Sequence, residues 1–308
     1  MSSLVALRSA VRAKLEKYSA GDLIIVAVSG GADSLALAEA TKLESDKLAL
    51  QVIGLTIDHQ LQKDSSTQAE KVVKQLSFPC LIEKVKVEIT DGLEASARRA
   101  RYEAFERIAK ERSAVAIFLG HTKDDQAETV LLGLARGSGA RSLSGMASEN
   151  GLYVRPFLEI TREQTVAACK ELKLQPWNDP HNDDPNFLRV RVRKNVLPIM
   201  ESELGPGIKD ALTRSAQLLR DDADALDALA EEFWAKYKSL EIEPLSKLAK
   251  AVRTRVIRLA LFESGVTQLS AEQVGWVEAL ISNWKGQGEV SLPSGVKVSR
   301  ISGRLTLS

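Results

Sequence analysis

The sequence has little that could tie a chain together through metal or sulfur. It holds 2 cysteines and 3 histidines in 308 residues. Cys80 and Cys169 lie in unrelated segments, with no C-x-x-C spacing and no histidine beside either. Zinc, iron–sulfur and disulfide frameworks are therefore not expected, and a reducing compartment fits. Long apolar runs are missing too: none nears the roughly 20 residues that cross a bilayer, and the start, Met1-Ser-Ser-Leu-Val-Ala-Leu-Arg8, has no leader-like apolar core. A cytoplasmic protein with no membrane partner is expected. Charge of neither sign dominates, with 42 Lys+Arg against 41 Asp+Glu, so any nucleic-acid surface must be a local patch. Aromatic residues are 5% of the chain, and Trp177, Trp234, Trp276 and Trp284 share no basic stripe; they read as packing. Internal repeats and low-complexity segments are absent.

What is there is ordinary for a globular protein, 44% hydrophobic and 27% charged, and the length favours two domains. Residues 3–18 have apolar positions at helical spacing up to Gly21. Leu23 to Val28 then reads as a strand buried on both faces. Further strands are expected at 48–57, 81–87 (near a sheet edge) and 114–119, alternating with helices at about 65–76, 93–112 and 124–135. In the 93–112 helix the apolar positions are Leu93, Ala97, Ala100, Phe105 and Ile108. This alternation predicts an α/β fold with a doubly wound, mainly parallel sheet over residues 1–204. A capping box at Thr161-x-x-Gln164 opens one more helix, and Trp177 to Asn186 is a turn-rich loop. With the boundary at Gly205-Pro-Gly207, residues 205–308 form a second, smaller, mostly helical domain. It begins with an amphipathic helix through Leu212, Leu219, Leu226, Leu229 and Phe233, has helices at about 245–263 and 271–283, and ends in short strands.

Between the first strand and its helix stands Ser29-Gly30-Gly31-Ala32-Asp33-Ser34. A bare Gly-Gly turn is often only a turn, but strand, glycine turn and helix in this order make a phosphate cradle, since backbone N–H groups and the helix dipole face the same anion. Gly-Lys-Ser/Thr is missing, so this is not a Walker loop. The amides of Gly30, Gly31 and Ala32 and the Ser29 and Ser34 hydroxyls can hold pyrophosphate, and Asp33 can hold a bridging Mg²⁺. Ligands in such sheets sit beyond the carboxyl ends of the strands, so Asp58, His59 and His121, which end two further strands, are candidates for the nucleotide side. Each histidine can equally be a loop-positioning hydrogen-bonder.

A second constellation is Gly120-His-Thr-Lys-Asp-Asp-Gln-Ala-Glu-Thr129, continuing to Arg136-Gly-Ser-Gly139. A helix puts Asp125 and Glu128 on one face. Acids near a helix start are commonplace, worth about 0.3–1 kcal/mol each, but a carboxylate pair can also bind an amine or a metal, or take a proton. Arg189, Arg191 and Arg193 alternate, with Lys194 adjoining and no acid between Asn186 and Met200. The ordinary reading is a solvated basic surface. Extended, the segment aligns all three guanidinium groups for phosphates; helical, it still pairs Arg189 with Arg193.

The Ser29–Ser34 stretch resembles the PP-loop family of ATP pyrophosphatases, whose Ser-Gly-Gly-x-Asp-Ser signature it meets in full. The resemblance implies cleavage of ATP between the α- and β-phosphates through an adenylated intermediate. Gly-His-x-x-Asp-Asp-Gln-x-Glu-Thr followed by Arg-Gly-x-Gly is similar to the tRNA(Ile)-lysidine synthetase family, and Asp58-His59, Ala97-Arg98, Arg101-Tyr102, Leu143-Ser-Gly-Met146 and the run from Asp184 to Pro198 extend the likeness over most of residues 21–200. Gln62 replaces the family's usual arginine, Thr122 its second histidine, and Asn186 and Val190 sit in a variant of its arginine-rich segment. This resemblance implies a ligase whose partners are free L-lysine and a tRNA(Ile) with a CAU anticodon. ATP would adenylate C2 of the wobble cytidine, and lysine would then displace AMP. It further implies Asp125 and Glu128 for lysine handling, Arg101 for charge on the α-phosphate, Arg193 reaching the active site, and Arg98, Arg136, Arg189, Arg191 and Lys194 for tRNA. A further C-terminal domain, present in the longest members, is expected to be absent. Oligomeric state is left open, a homodimer included. The competing readings are a PP-loop tRNA sulfurtransferase, for which Cys80 and Cys169 are poorly placed, and a nucleotide-sensing RNA-binding module without chemistry.

Overall fold

The computed structural model describes residues 2–60, 65–90, 92–178 and 183–308; Gln62 and residues 179–182 of the turn-rich loop lie outside them. The chain folds as two compact units, Met1–Arg136 with Gly145–Arg214, and Gly137–Ser144 with Ser215–Ser308. The division falls inside a long helix, beyond the Gly205–Gly207 turn.

In the first unit, α1 (Ser3–Leu15), β1 (Leu23–Ala27), α2 (Ala32–Ser45), β2 (Gln51–Asp58), α3 (Ser65–Val73), β3 (Cys80–Lys84), α4 (Leu93–Arg112), β4 (Ala116–Phe118) and α5 (Lys123–Ala135) alternate as expected. After α6 (Ala140–Leu143), which belongs to the second unit, come β5 (Glu149–Asn150), β6 (Tyr153–Val154) and α7 (Arg162–Glu171). The sheet order is β3-β2-β1-β4-β6-β5, parallel except where β5 pairs with β6. The period of two along each strand feeds two cores. Ile24, Val26 and Phe118 pack with Leu7, Leu35 and Phe157, whereas Ile25, Ile117 and Leu119 pack with Phe105 and Ile108. Glu44 of α2, 1% exposed, fastens α1 through Arg8 (2.6 Å) and Arg12 (2.8 Å).

Two local features differ from expectation, and a third decides between two open conformations. The buried stripe of α4 is Ser96, Ala104, Phe105, Ile108 and Ala109; Leu93, in its first turn, is exposed. The β5–β6 hairpin closes the parallel sheet with an antiparallel edge, turning at Gly151-Leu152 with Gly151 at φ +57°. Finally, the arginine-rich segment is helical: α8 (Leu188–Arg191) runs into a π turn (Val192–Val196) and then α9 (Leu197–Glu203). Val192 and Leu197 seat this segment on Ala127 of α5.

α10 (Ile208–Tyr237) begins in the first unit and continues into the second. Its fully buried positions are Ala216, Ala223 and Ala230, spaced by seven, while Leu229 is exposed. The second unit adds α11 (Ile242–Ser246), α12 (Lys250–Glu263) and α13 (Ala271–Ser282), then an antiparallel sheet of β7 (Val290–Ser291), β8 (Lys297–Ile301) and β9 (Arg304–Leu307). A Ser270–Gln273 capping box starts α13. Among the described residues no helix is long and apolar enough to cross a membrane.

Candidate active site

The glycine turn is shaped by what surrounds it. Gly30 has φ +88°, and a Cβ there would lie 2.5 Å from Val72 Cγ2, so only glycine fits. The Trp177 amide donates to the Gly30 carbonyl at 2.9 Å. Ser34 Oγ accepts from the Ser29 amide (3.1 Å) and donates to the Gly31 carbonyl (3.0 Å). No side chain caps the first turn of α2, which leaves its amides available to an anion. The β4 loop closes against this turn: a Cβ on Gly120 would be 3.1 Å from the Asp33 carbonyl and the Ser34 amide.

Asp33 faces α7. Thr165 Oγ1 donates to Asp33 Oδ1, and Arg162 Nη2 is 3.4 Å from Asp33 Oδ2 and 3.5 Å from Asp125 Oδ1. One guanidinium thus joins the glycine turn to the first turn of α5. Burial pushes the Asp33 carboxyl above its ordinary value, against the pull of Arg162 and Thr165. Burial also acts upward on Asp125, but Arg162, the Thr122 amide and Arg189 hold it below. A carboxylate facing the open amides of the glycine turn is a hard oxygen donor that fits Mg²⁺; Asp33 would supply it.

Asp125 is fixed by a reciprocal cap. Thr122, which stands where the resembled family has a second histidine, donates to Asp125 Oδ2 from both its amide and its hydroxyl at 2.9 Å. Glu128 is different, because it is 0% exposed and both its oxygens are taken. Arg189 Nε donates to Oε2 at 2.8 Å, and Arg193 donates from Nε to Oε1 at 2.6 Å and from Nη2 to Oε2 at 3.1 Å. The two carboxylates share a face of α5 as the spacing predicts, but only Asp125 is open to a ligand. Burial acts to lower the Arg193 guanidinium; Glu128 and Asp125 outweigh it and raise it.

The remaining candidates divide. Asp58 is buried and spent on its own loop, accepting from the Gln60 amide (2.9 Å) and Ser66 Oγ (2.6 Å). Burial drives the His121 imidazolium down to about 4, so the ring is neutral at pH 7; its Nδ1, like that of His59, is buried with no partner among the described residues. Burial and Arg98 lower Arg101, which makes no hydrogen bond or ion pair among the described residues and stands 6.0 Å over the Tyr102 ring. Arg98 stacks on Tyr102 at 4.8 Å. Arg191 donates to the Pro185 and Asn186 carbonyls, and Lys194 pairs with Asp183 at 2.6 Å. Arg136 follows α5, whose 13 residues put it about 20 Å from the helix start, away from the carboxylates.

Residues 6–200 match the family described as a PP-loop domain, and residues 240–306 match the TilS substrate binding domain. A tRNA(Ile)-lysidine synthase from Thermobifida fusca (strain YX) is 45% identical over 313 residues, covering 98% of this chain and 96% of that protein. Another, from Streptomyces coelicolor, is 47% identical over 298 residues, covering 92% and 85%. The chain belongs to the tRNA(Ile)-lysidine synthase family. Among solved structures, the U34-tRNA thiolase NcsA from Methanococcus maripaludis aligns with a TM-score of 0.59 at 16% identity, over 71% of this chain and 80% of that one; this likeness concerns the fold alone. The matches favour the lysidine reading over the sulfurtransferase one.

Three residues of this tRNA(Ile)-lysidine synthase family member escaped the sequence reading. Arg162 carried a signal, since a cation at a helix start opposes the dipole and calls for a local anion. Thr165, fully buried, carried none. Arg155, 8% exposed, follows β6 at the same sheet end as His121 and donates to the Ala147 carbonyl at 2.9 Å; it went unseen because the β5–β6 hairpin did.

Proposed function

We propose that this protein forms lysidine. The C2 oxygen of the wobble cytidine in a CAU-bearing tRNA(Ile) attacks the α-phosphorus of ATP and pyrophosphate leaves. The ε-amine of free L-lysine then attacks C2, and the C2–O bond breaks to release AMP. Adenylation is required because oxide is a poor leaving group and AMP a good one. The observation that carries the reading is the bridge from Asp33 through Arg162 to Asp125, which brings a nucleotide cradle and an amine-binding carboxylate to one crevice in a chain of this family.

The amides of Gly30, Gly31 and Ala32, with the Ser29 and Ser34 hydroxyls, take the pyrophosphate oxygens. Mg²⁺, held by Asp33, would neutralise charge on the phosphates. Arg101, uncompensated and largely desolvated, meets the α-phosphate, where its charge counts most in the transition state. Asp125 receives the lysine ammonium, and its carboxylate accepts the proton as nitrogen bonds to C2. Glu128 holds Arg189 and Arg193 so that the outer faces of both guanidinium groups meet substrate phosphates. Arg98, Arg136, Arg191 and Lys194 are proposed tRNA contacts, and the cytoplasm is the proposed setting.

The test incubates the protein with ATP, labelled lysine and the tRNA transcript. Label in RNA is expected, with pyrophosphate release requiring tRNA and its continuation beyond one turnover requiring lysine as well. No label, or a thiolated nucleoside instead, overturns the proposal.

A further inference from the structure

The ion pairs in this crevice fall into two grades. Those on Glu128 are short, 2.6 and 2.8 Å, to a fully buried carboxylate. The Arg162 pairs are long, 3.4 and 3.5 Å, and its side chain is 32% exposed. A guanidinium at these distances donates no good hydrogen bond to either acid; it is a counter-ion between them. Its backbone is nevertheless fixed, because Asp124 Oδ2 accepts the Arg162 amide at 2.8 Å while Asp124 Oδ1 takes Lys209 Nζ at 2.6 Å. The base of Arg162 is anchored and its head is loosely held.

We propose that Arg162 is a positioning residue that couples the two substrate sites, leaving the carboxylates for the nucleotide phosphates when the lysine ammonium arrives. The inference rests on the function proposed above. An ammonium at Asp125 and Arg162 cannot both hold the same Oδ1 position. Once displaced, a guanidinium tethered at its own amide has an open anion-binding turn beside it, and bidentate phosphate recognition is what that group does best. Each ligand therefore removes a cost the other would meet, and linkage makes the effect reciprocal.

The experiment is calorimetric, on the full chain in Mg²⁺ buffer without tRNA, using α,β-methylene-ATP, which cannot be cleaved at the reacting bond. Saturating lysine is expected to tighten the analogue by about tenfold, with the analogue tightening lysine equally, within the usual range of such couplings. In Arg162→Gln the factor falls to about one with each ligand still binding alone. Arg162→Lys, which keeps the charge, retains part of the factor and serves should the glutamine variant fold poorly. A coupling factor of one in the native protein, or an unchanged factor in both variants, overturns the inference. Lysidine formation by the native protein, measured in parallel, separates the two levels: label in RNA with no coupling defeats Arg162 alone, and no label defeats the function.

Discussion

Two buried arginine–glutamate clusters, one in each unit, show how the same chemistry serves different ends. In the second unit Arg253 and Glu278 are 11% and 5% exposed, and every strong partner is in place. Arg253 donates to Glu278 Oε1 and to the Leu248 carbonyl, and Ser282 covers Glu278 Oε2. Charge balances one to one and nothing is left to offer. In the first unit Glu128 is buried more deeply, yet it holds two arginines that are 33% and 26% exposed. That cluster sets two arginines on one glutamate, with Asp125 Oδ1 a further 3.9 Å from Arg193 Nη2, and shows an open face of each guanidinium. A closed pair stabilises a fold; a partly exposed one still has donors to offer an anion.

Changes at both clusters can break this contrast. The largest expected effect is at Asp125, the open carboxylate beside the Glu128 cluster: Asp125→Asn should lower kcat/KM for lysidine formation by about 10²–10⁴-fold, the span of a positioned acid–base group, with thermal stability little changed. Glu278→Ala leaves a buried guanidinium unpaired and should cost about 3–5 kcal/mol in denaturant unfolding while turnover per folded molecule is kept; lost turnover would deny that the closed pair is purely structural. Gly30→Ala, at φ +88° and against Val72, should cost about 1–3 kcal/mol and weaken ATP-analogue binding, which calorimetry reads directly. The smallest effect concerns a third buried cluster, at Glu44. Burial acts upward on this carboxyl, but Arg12, Lys47 and Arg8 hold it down at about 2 against an ordinary 4.5. Because the folded value is depressed, the stabilisation is full above about pH 4.5 and is lost as pH falls towards 2. Glu44→Gln should flatten that part of the plot of Tm against pH.

Much of this could be read from residue order alone. Leu23–Ala27 before a glycine turn, and the strand–helix alternation after it, foretold the sheet because the period and the turn chemistry are local properties. Asp125 and Glu128 were placed on one face by helical spacing, and Arg189 with Arg193 by one of two open conformations, the helical one that the structure adopts. Function in the same crevice was less visible where it depends on burial. That Glu128 is shut and Asp125 open follows from which arginines reach α5, a tertiary fact. Arg162 and Thr165 come from a helix whose sequence announces a cap and nothing more. In α10 Leu212, Leu226 and Phe233 of the expected stripe pack against hydrophobic clusters, but the fully buried positions are the alanines at 216, 223 and 230, which a pattern of large apolar residues does not single out.

The π turn at Val192–Val196 has a consequence of phase. It accommodates one residue more than an α-helix would over the same turn, so Arg189 before it and Leu197 after it both keep to the same neighbour, α5. Removing a single residue there would restore a regular helix with Leu197 still in phase, whereas a regular α-helix forced to keep the surplus residue would turn everything after it by about 100°, carrying Leu197 off its seat beside Ala127. The segment thus holds one residue of slack, and a deletion within the turn is expected to disturb the seat of Leu197 less than a deletion in the regular helix on either side of it.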